Sequence, residues 1–418
     1  MSEKEMAGEI SDRLVARFRR YVAVTSQSDA AVADVPSTAG QWDMARLLEG
    51  ELRALGLADI ALDEHAVLTA RLPATVEGAP RLGFCAHMDT VDVGLSPEIH
   101  PQLLRYEGKD LCLNAERDIW LRAAEHPELA RHVGEEIIFG DGTSVLGADN
   151  KAAVTTVMEL LAALVREKPA HGEIFVAFVP DEEIGLRGSK LLKLERFPVD
   201  FAYTIDSCEV GEFVYETFNA AQVTLSIAGV TAHPMSAKGV LVNPVLVAAD
   251  FIGRFDPSDT PECTEGREGY CWVNHIAAGP AEAVVKMSLR DFAAAGLARR
   301  KALVAAAVKA TQEAFPRARL ALKIEDAYGN IADALGNDRR CVDLLERAFA
   351  ALGIAPDVIA MRGGTDGSAL SARGVPTPNY FTGGLNFHSR FECLPVPSFV
   401  QAYRLSERLV ALAAGRTA

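Results

Sequence analysis

The chain has 418 residues, 49% hydrophobic and 24% charged, a composition that builds folded globular domains and leaves aside fibrous and disordered classes. Lys+Arg 42 against Asp+Glu 57 gives a formal charge of −15, which repels phosphate backbones and anionic lipid, so neither nucleic acid nor a membrane is an expected partner. The charged amino terminus has no apolar signal core, no apolar run reaches about 18 residues, and the cysteines form no Cys-x-x-Cys pair; a soluble cytoplasmic protein with reduced thiols is expected.

In chain order, Leu14, Val15, Phe18 and Tyr21 recur at helical spacing. A second amphipathic helix is predicted from about Ser37 to Leu55, with Trp42, Leu47, Leu48 and Leu52 on its apolar side and Gly56 as its C-cap. The apolar runs Leu82–Ala86, Ile174–Val179 and Phe201–Ile205 read as buried strands, with a helix over Ala152–Arg166 between the first two. That order predicts an α/β fold with a mainly parallel sheet and flanking helices. The stretch Leu95–Gly134 has the poorest pattern.

From about Ala220 the texture changes. Strands over Gln222–Ile227, Tyr270–His275, Ala283–Leu289 and Leu320–Ile324, with helices over Asn243–Phe255 and Ala293–Phe315, give a β-α-β-β-α-β order, that of a ferredoxin-like α+β unit. The α/β texture then returns with a helix near Asp338–Leu352, strands near Val358 and Asn379, and a last helix near Ser398–Ala414. The expected organisation is therefore a catalytic domain in two parts, 1–217 and 332–418, with a lid inserted at 218–331.

Five segments place acids or histidines near strand ends, where open α/β sheets bind ligands. They are His87-Met88-Asp89, Gly147-Ala148-Asp149-Asn150-Lys151, Asp181-Glu182-Glu183, Thr204-Ile205-Asp206 and Asn386-Phe387-His388. Imidazole and carboxylate without thiolate is the ligand chemistry of hydrolytic zinc, cobalt or manganese sites. Two histidines and three acids would serve two ions if one carboxylate bridges them. The strand period puts His87 and Asp89 on one face, so that Asp89 can accept the second ring N–H of His87. Adjacent Glu182 and Glu183 cannot both point at one atom, which suggests one ligand and one proton carrier.

With these residues in view, the sequence resembles the M20 family of dinuclear metallopeptidases, and within it the tripeptide aminopeptidases. The similarity starts at Val35-Pro36-Ser37-Thr38-Ala39-Gly40-Gln41-Trp42 and runs through the five segments. It takes in Ala232-His233-Pro234 with Ala237-Lys238-Gly239, Arg290-Asp291-Phe292 and Arg362-Gly363-Gly364-Thr365-Asp366-Gly367, and ends at Phe381-Thr382-Gly383-Gly384 with His388. The resemblance implies two zinc ions, one on His87 and Asp206 and one on Glu183 and His388, bridged by Asp149, with Glu182 as general base and Asp89 orienting His87. It implies a homodimer through the lid, with His233 reaching the partner subunit's active site to steady the oxyanion. Arg290 and Arg362 would grip the peptide substrate, with Asn274 placed beside them by its neighbourhood.

Three departures stand out. The usual Asp-Asp pair reads Asp149-Asn150, the usual Asp-Gly-Gly reads Asp206-Ser207-Cys208, and the usual His-Gly-Lys-His-Glu reads His388-Ser389-Arg390-Phe391-Glu392. The last bears on substrate selectivity, so another amidohydrolase of the same family and an inactive peptide-binding homologue are the alternatives. His65, His100, His126, His132, His171 and His275 match no motif and are expected on the surface or satisfied in the core.

Overall fold

The computed structural model describes residues 3–416, which form two compact units. The first comprises the described residues up to Tyr215, Leu335–Ile359 and those from Thr365 on; the second comprises Glu216–Ala334 and Ala360–Gly364.

The first unit is built on an eight-stranded sheet in the order Ala58–Leu62, Leu68–Leu72, Ile174–Val179, Leu82–His87, Phe201–Ser207, Asn379–Phe381, Glu212–Thr217, Asp357–Met361. Its four middle strands run parallel to one another, and the two strands before them in that order pair antiparallel. Ile174–Val179 and Leu82–His87 are buried at every residue, which is why they read as unbroken apolar runs rather than alternating ones. The helices Ala39–Leu55, Ala148–Glu167 and Val396–Ala413 add Leu48, Val157, Leu161 and Phe399 to the same core. Gly56 ends the first of these with φ 78°, a left-handed C-cap. On that helix Met44 and Ala45 are buried, while Trp42 and Leu47 lie at the core's margin.

The poorly patterned stretch is ordered by long-range pairing. Gln102–Arg105 and Glu136–Phe139 join Cys393–Pro395 in a three-stranded antiparallel sheet, over a small core that includes Tyr106, Leu121, Leu129 and Leu385. Strands this short carry too few periods to show in sequence.

In the second unit the strands Asn219–Ala228, Tyr270–Ala278, Glu282–Asp291 and Arg319–Tyr328 form one antiparallel sheet, with Tyr270–Ala278 at one edge and Arg319–Tyr328 at the other. The helices Pro244–Ile252 and Ala294–Ala314 pack on one face, burying Val223, Leu225, Val285 and Met287 with Val247, Phe251 and Val304. Asn243 caps the first helix by accepting the Val245 N–H at 3.0 Å, with Pro244 in the first turn.

The observed units differ from the expected bounds at three places: 216–217 and 332–334 group with the inserted unit, and so do 360–364. For 360–364 the reason is local bonding. Arg362 donates to the Glu268 carbonyl and the Thr264 hydroxyl, both at 2.7 Å, and its guanidinium lies over the rings of Phe218 and Tyr270.

Among the described residues no helix is long and apolar enough to cross a membrane.

Candidate metal centre

Three adjacent parallel strands of the first unit deliver side chains at their carboxyl ends. Leu82–His87 ends on His87, Phe201–Ser207 carries Asp206 at its penultimate position, and Ile174–Val179 runs into Asp181-Glu182-Glu183. Asp149 stands in the first turn of the helix Ala148–Glu167, and His388 follows the short strand Asn379–Phe381.

His87 Nε2 lies 3.0 Å from Asp149 Oδ1 and 3.8 Å from Asp206 Oδ1. His388 Nε2 lies 3.1 Å from the other oxygen of Asp149, Oδ2, and 3.0 Å from Glu183 Oε1. Two three-donor groups result, His87–Asp149–Asp206 and Asp149–Glu183–His388, each with its donor atoms within 4.8 Å of one another and with Asp149 common to both. His87 is wholly buried, whereas His388 is 48% exposed and marks the open side of the cluster.

Asp89 lies beyond the strand end rather than on it. Its main-chain carbonyl is the nearer neighbour of His87 Nδ1, at 3.1 Å, and its carboxylate is 3.4 Å away. That carboxylate accepts the backbone N–H groups of Glu182 at 3.0 Å and Glu183 at 3.2 Å.

The electrostatics follow from crowding acids in a buried space. Burial, then the charge of Asp149, pushes Glu183 up to about 7 and Asp206 up to about 6. Burial also holds Glu182 well above the carboxylate range, with His87 opposing and Asp206 and Asp366 adding to the rise. Burial would raise Asp149 too, but its bonds to His388 and His87 outweigh it and the net shift is downward. His388 is pushed up to about 10 by Asp149 and Glu183. A cluster of this kind stabilises cations, and its nitrogen and oxygen donors fit a pair of divalent ions.

Several contributors had no functional assignment from sequence. Asp181 is fully buried at φ 54°, and its carboxylate accepts the Ser37 N–H at 2.8 Å, the Ser37 hydroxyl at 2.6 Å and the Gln41 amide at 2.6 Å. Its own N–H donates to Gln41 Oε1 at 2.9 Å. The Val35–Trp42 motif thus anchors the residue before Glu182. Asn150 donates from Nδ2 to Asp206 Oδ1 at 2.8 Å, a bond that an ionised aspartate there could not make. Asp366 is buried, and burial lifts its carboxyl to about 7. His126, expected to be unremarkable, packs edge-on against Phe391 with ring centroids 4.8 Å apart, and Glu128 beside it accepts from Asn386 at 2.8 Å. The 95–134 stretch therefore buttresses the loop that carries His388. Cys208 is held well above its ordinary thiol range by burial and Glu212, an inert state.

The remaining candidates belong to the second unit. His233 precedes a single 3-10 turn, its Nδ1 accepting the Met235 N–H at 3.2 Å. Asn274 donates to the Ser288 hydroxyl at 2.9 Å, and that hydroxyl donates to Gln222 Oε1 at 3.0 Å, a polar chain across three strands. Arg290 lies over the Tyr328 ring, 5.5 Å from its centroid.

A sequence profile of Peptidase family M20/M25/M40 matches residues 129–412. A peptidase T-like protein of Yersinia pestis is 58% identical over 407 residues, covering 97% of this chain and 99% of that protein. A peptidase T of Geobacillus is 38% identical over 406 residues, covering 96% and 99%. Among solved structures, the aminopeptidase PepT of Bacillus cereus superposes with a TM-score of 0.76 at 23% identity, covering 97% of this chain and 99% of that one, a likeness of fold.

Proposed function

Because the chain belongs to peptidase family M20/M25/M40, we propose that it is a di-zinc aminopeptidase that removes the N-terminal residue from tripeptides. The observation that carries this reading is the shared carboxylate: Asp149 turns one oxygen to His87 at 3.0 Å and the other to His388 at 3.1 Å, the arrangement that a bridging ligand needs. His87 and Asp206 would hold one ion, and Glu183 and His388 the other. Zinc suits this donor set, and cobalt or manganese would be accepted by it.

When bound, the ions supply acidification of water toward a pKa of ~7 and polarisation of the scissile carbonyl. Glu182 is the proton carrier: it takes the proton of the attacking water and returns it to the leaving amine. Asp89 holds the Glu182–Glu183 main chain and stands against His87, so one acid positions both base and ligand. His233, acting from the second subunit of a homodimer, would steady the oxyanion, and Asn274, Arg290 and Arg362 would hold the peptide.

Dimerisation through the second unit is supported by its exposed apolar side chains Met235, Val240, Leu241, Val245 and Leu246, a density that a lone surface rarely carries. Seven free cysteines support a reducing, cytoplasmic setting.

The test is hydrolysis, by zinc-loaded protein, of one tripeptide beside its N-acetylated form, with products identified by mass. Release of the first residue from the free peptide alone is the expected result. Removal of the acetyl group would reassign the chain to the amidohydrolases of the family. Two bound metals with no cleavage of either would favour a peptide-binding homologue.

A further inference from the structure

We infer that Glu392 is the positioning residue that ties the Asp149 turn to the His388 loop, so that both halves of the centre keep one geometry; this rests on the two-ion reading above. Glu392 is 2% exposed and comes from a segment distant in sequence. One carboxylate oxygen, Oε2, accepts the backbone N–H groups of Leu146 at 2.7 Å and Gly147 at 2.8 Å; the other, Oε1, accepts that of Asp149 at 3.0 Å. These N–H groups belong to the turn that leads into the helix Ala148–Glu167, in which Asp149 and Asn150 have non-helical backbone angles, so the helix itself supplies them no acceptor. Three N–H groups converging on one side chain call for an acceptor there.

The other end of the residue belongs to the second half of the centre. Glu392 lies four residues past His388, its N–H donates to the Ser389 carbonyl at 3.1 Å, and the next residue closes the loop through paired backbone bonds with Leu385 at 2.9 and 3.1 Å. The carboxylate is thus bonded to the main chain of the shared ligand while the backbone is part of the loop presenting His388. A shift of either is passed to the other through one short side chain.

The chemistry of the partners restricts the residue type. All three groups that face the carboxylate are donors, so the site needs an acceptor on both terminal atoms. Glutamine would turn an NH2 toward at least one N–H, replacing a charge-assisted bond with a repulsive contact in a buried site. The Asp149 main chain would then move, and because Asp149 serves both ions, both would be held less well.

The experiment is titration of cobalt(II) alone into chelator-stripped protein, followed by calorimetry and by the cobalt absorption bands, for the parent, Glu392→Gln and Glu392→Asp. The parent is expected to take two equivalents. In Glu392→Gln both binding steps are expected to weaken by about tenfold or more, with altered absorption bands, and Glu392→Asp to lie between. A merely structural role would lower the melting temperature of the metal-free variants yet leave both affinities within about twofold of the parent's, and that result overturns the inference. Should the Gln chain fail to fold, the Asp chain, which keeps the charge, carries the same comparison. A parent that does not take two equivalents would instead overturn the two-ion reading, and this inference with it.

Discussion

Asp89 Oδ1 accepts the backbone N–H of Glu182 at 3.0 Å, so the acid two residues past His87 also fixes the main chain of the proposed proton carrier. Expected from sequence as a partner of the His87 ring alone, Asp89 divides its bonding between the ring and the Asp181–Glu183 turn. Asp89→Ala should therefore lower both metal retention and kcat, since one carboxylate supports a ligand and the base. A variant that lost only one of the two would separate these roles.

Glu182→Ala should lower kcat by a factor on the order of 10² to 10⁴ while metal content stays that of the parent. Metal content by mass spectrometry on the purified variant is the check. Loss of an ion would make Glu182 a ligand and overturn its role as proton carrier.

Asp149→Ala should strip at least one ion per chain, because its two oxygens face separate donor groups. Chelation of the parent should abolish hydrolysis, and added zinc should restore it. Two ions retained in the variant would refute the shared-ligand assignment.

The Asp181 cage predicts a different signature. Asp181→Asn replaces an acceptor that serves Ser37 and Gln41 in a fully buried site, and each charged hydrogen bond lost there costs about 2 kcal/mol. Urea denaturation should show that loss, and kcat should fall with metal content preserved, because Asp181 leads directly into Glu182. An unchanged midpoint would mean that the cage is not a support.

Asp200 supplies a pH test away from the centre. Burial raises its carboxyl, but the Arg81 N–H at 2.8 Å and guanidinium at 3.2 Å, with the charge of Arg340, outweigh it, and the net shift is down. With the folded value below the unfolded one, its contribution is complete above about pH 4 and is lost as pH falls through the folded value. The site is largely open to solvent, so the effect is small, about 0.5 kcal/mol. Asp200→Asn should melt slightly below the parent at pH 7, and the gap should close as pH drops below about 4. A gap that is constant with pH would show that charge has no part in it.

Much of the architecture was legible because it is written in local periodicity. Ile174–Val179 and Phe201–Ser207 are buried on both faces and show as apolar runs, while Asn219–Ala228 packs one face against helices and shows as alternation. The short strands Gln102–Arg105 and Glu136–Phe139 were not legible, because they are held by partners far along the chain, each other and Cys393–Pro395. Arg362 shows the same limit: its motif was visible, but its bonds to Glu268 and Thr264 and its place over Phe218 and Tyr270 were not.

By itself the sequence determined the donor chemistry, imidazole and carboxylate without thiolate, and an α/β frame whose strand ends carry those donors. Residue types and short-range periods suffice for both. The family resemblance implied Asp149 as the shared ligand; only the tertiary structure decided that its two oxygens face His87 and His388 separately, that Asp181 is caged by Ser37 and Gln41, and that Glu392 is fastened to the Asp149 turn. Those contacts join single polar side chains far apart along the chain. No periodic pattern marks them, and a hydrogen bond depends on positions set to a few tenths of an ångström by the packing of the whole core.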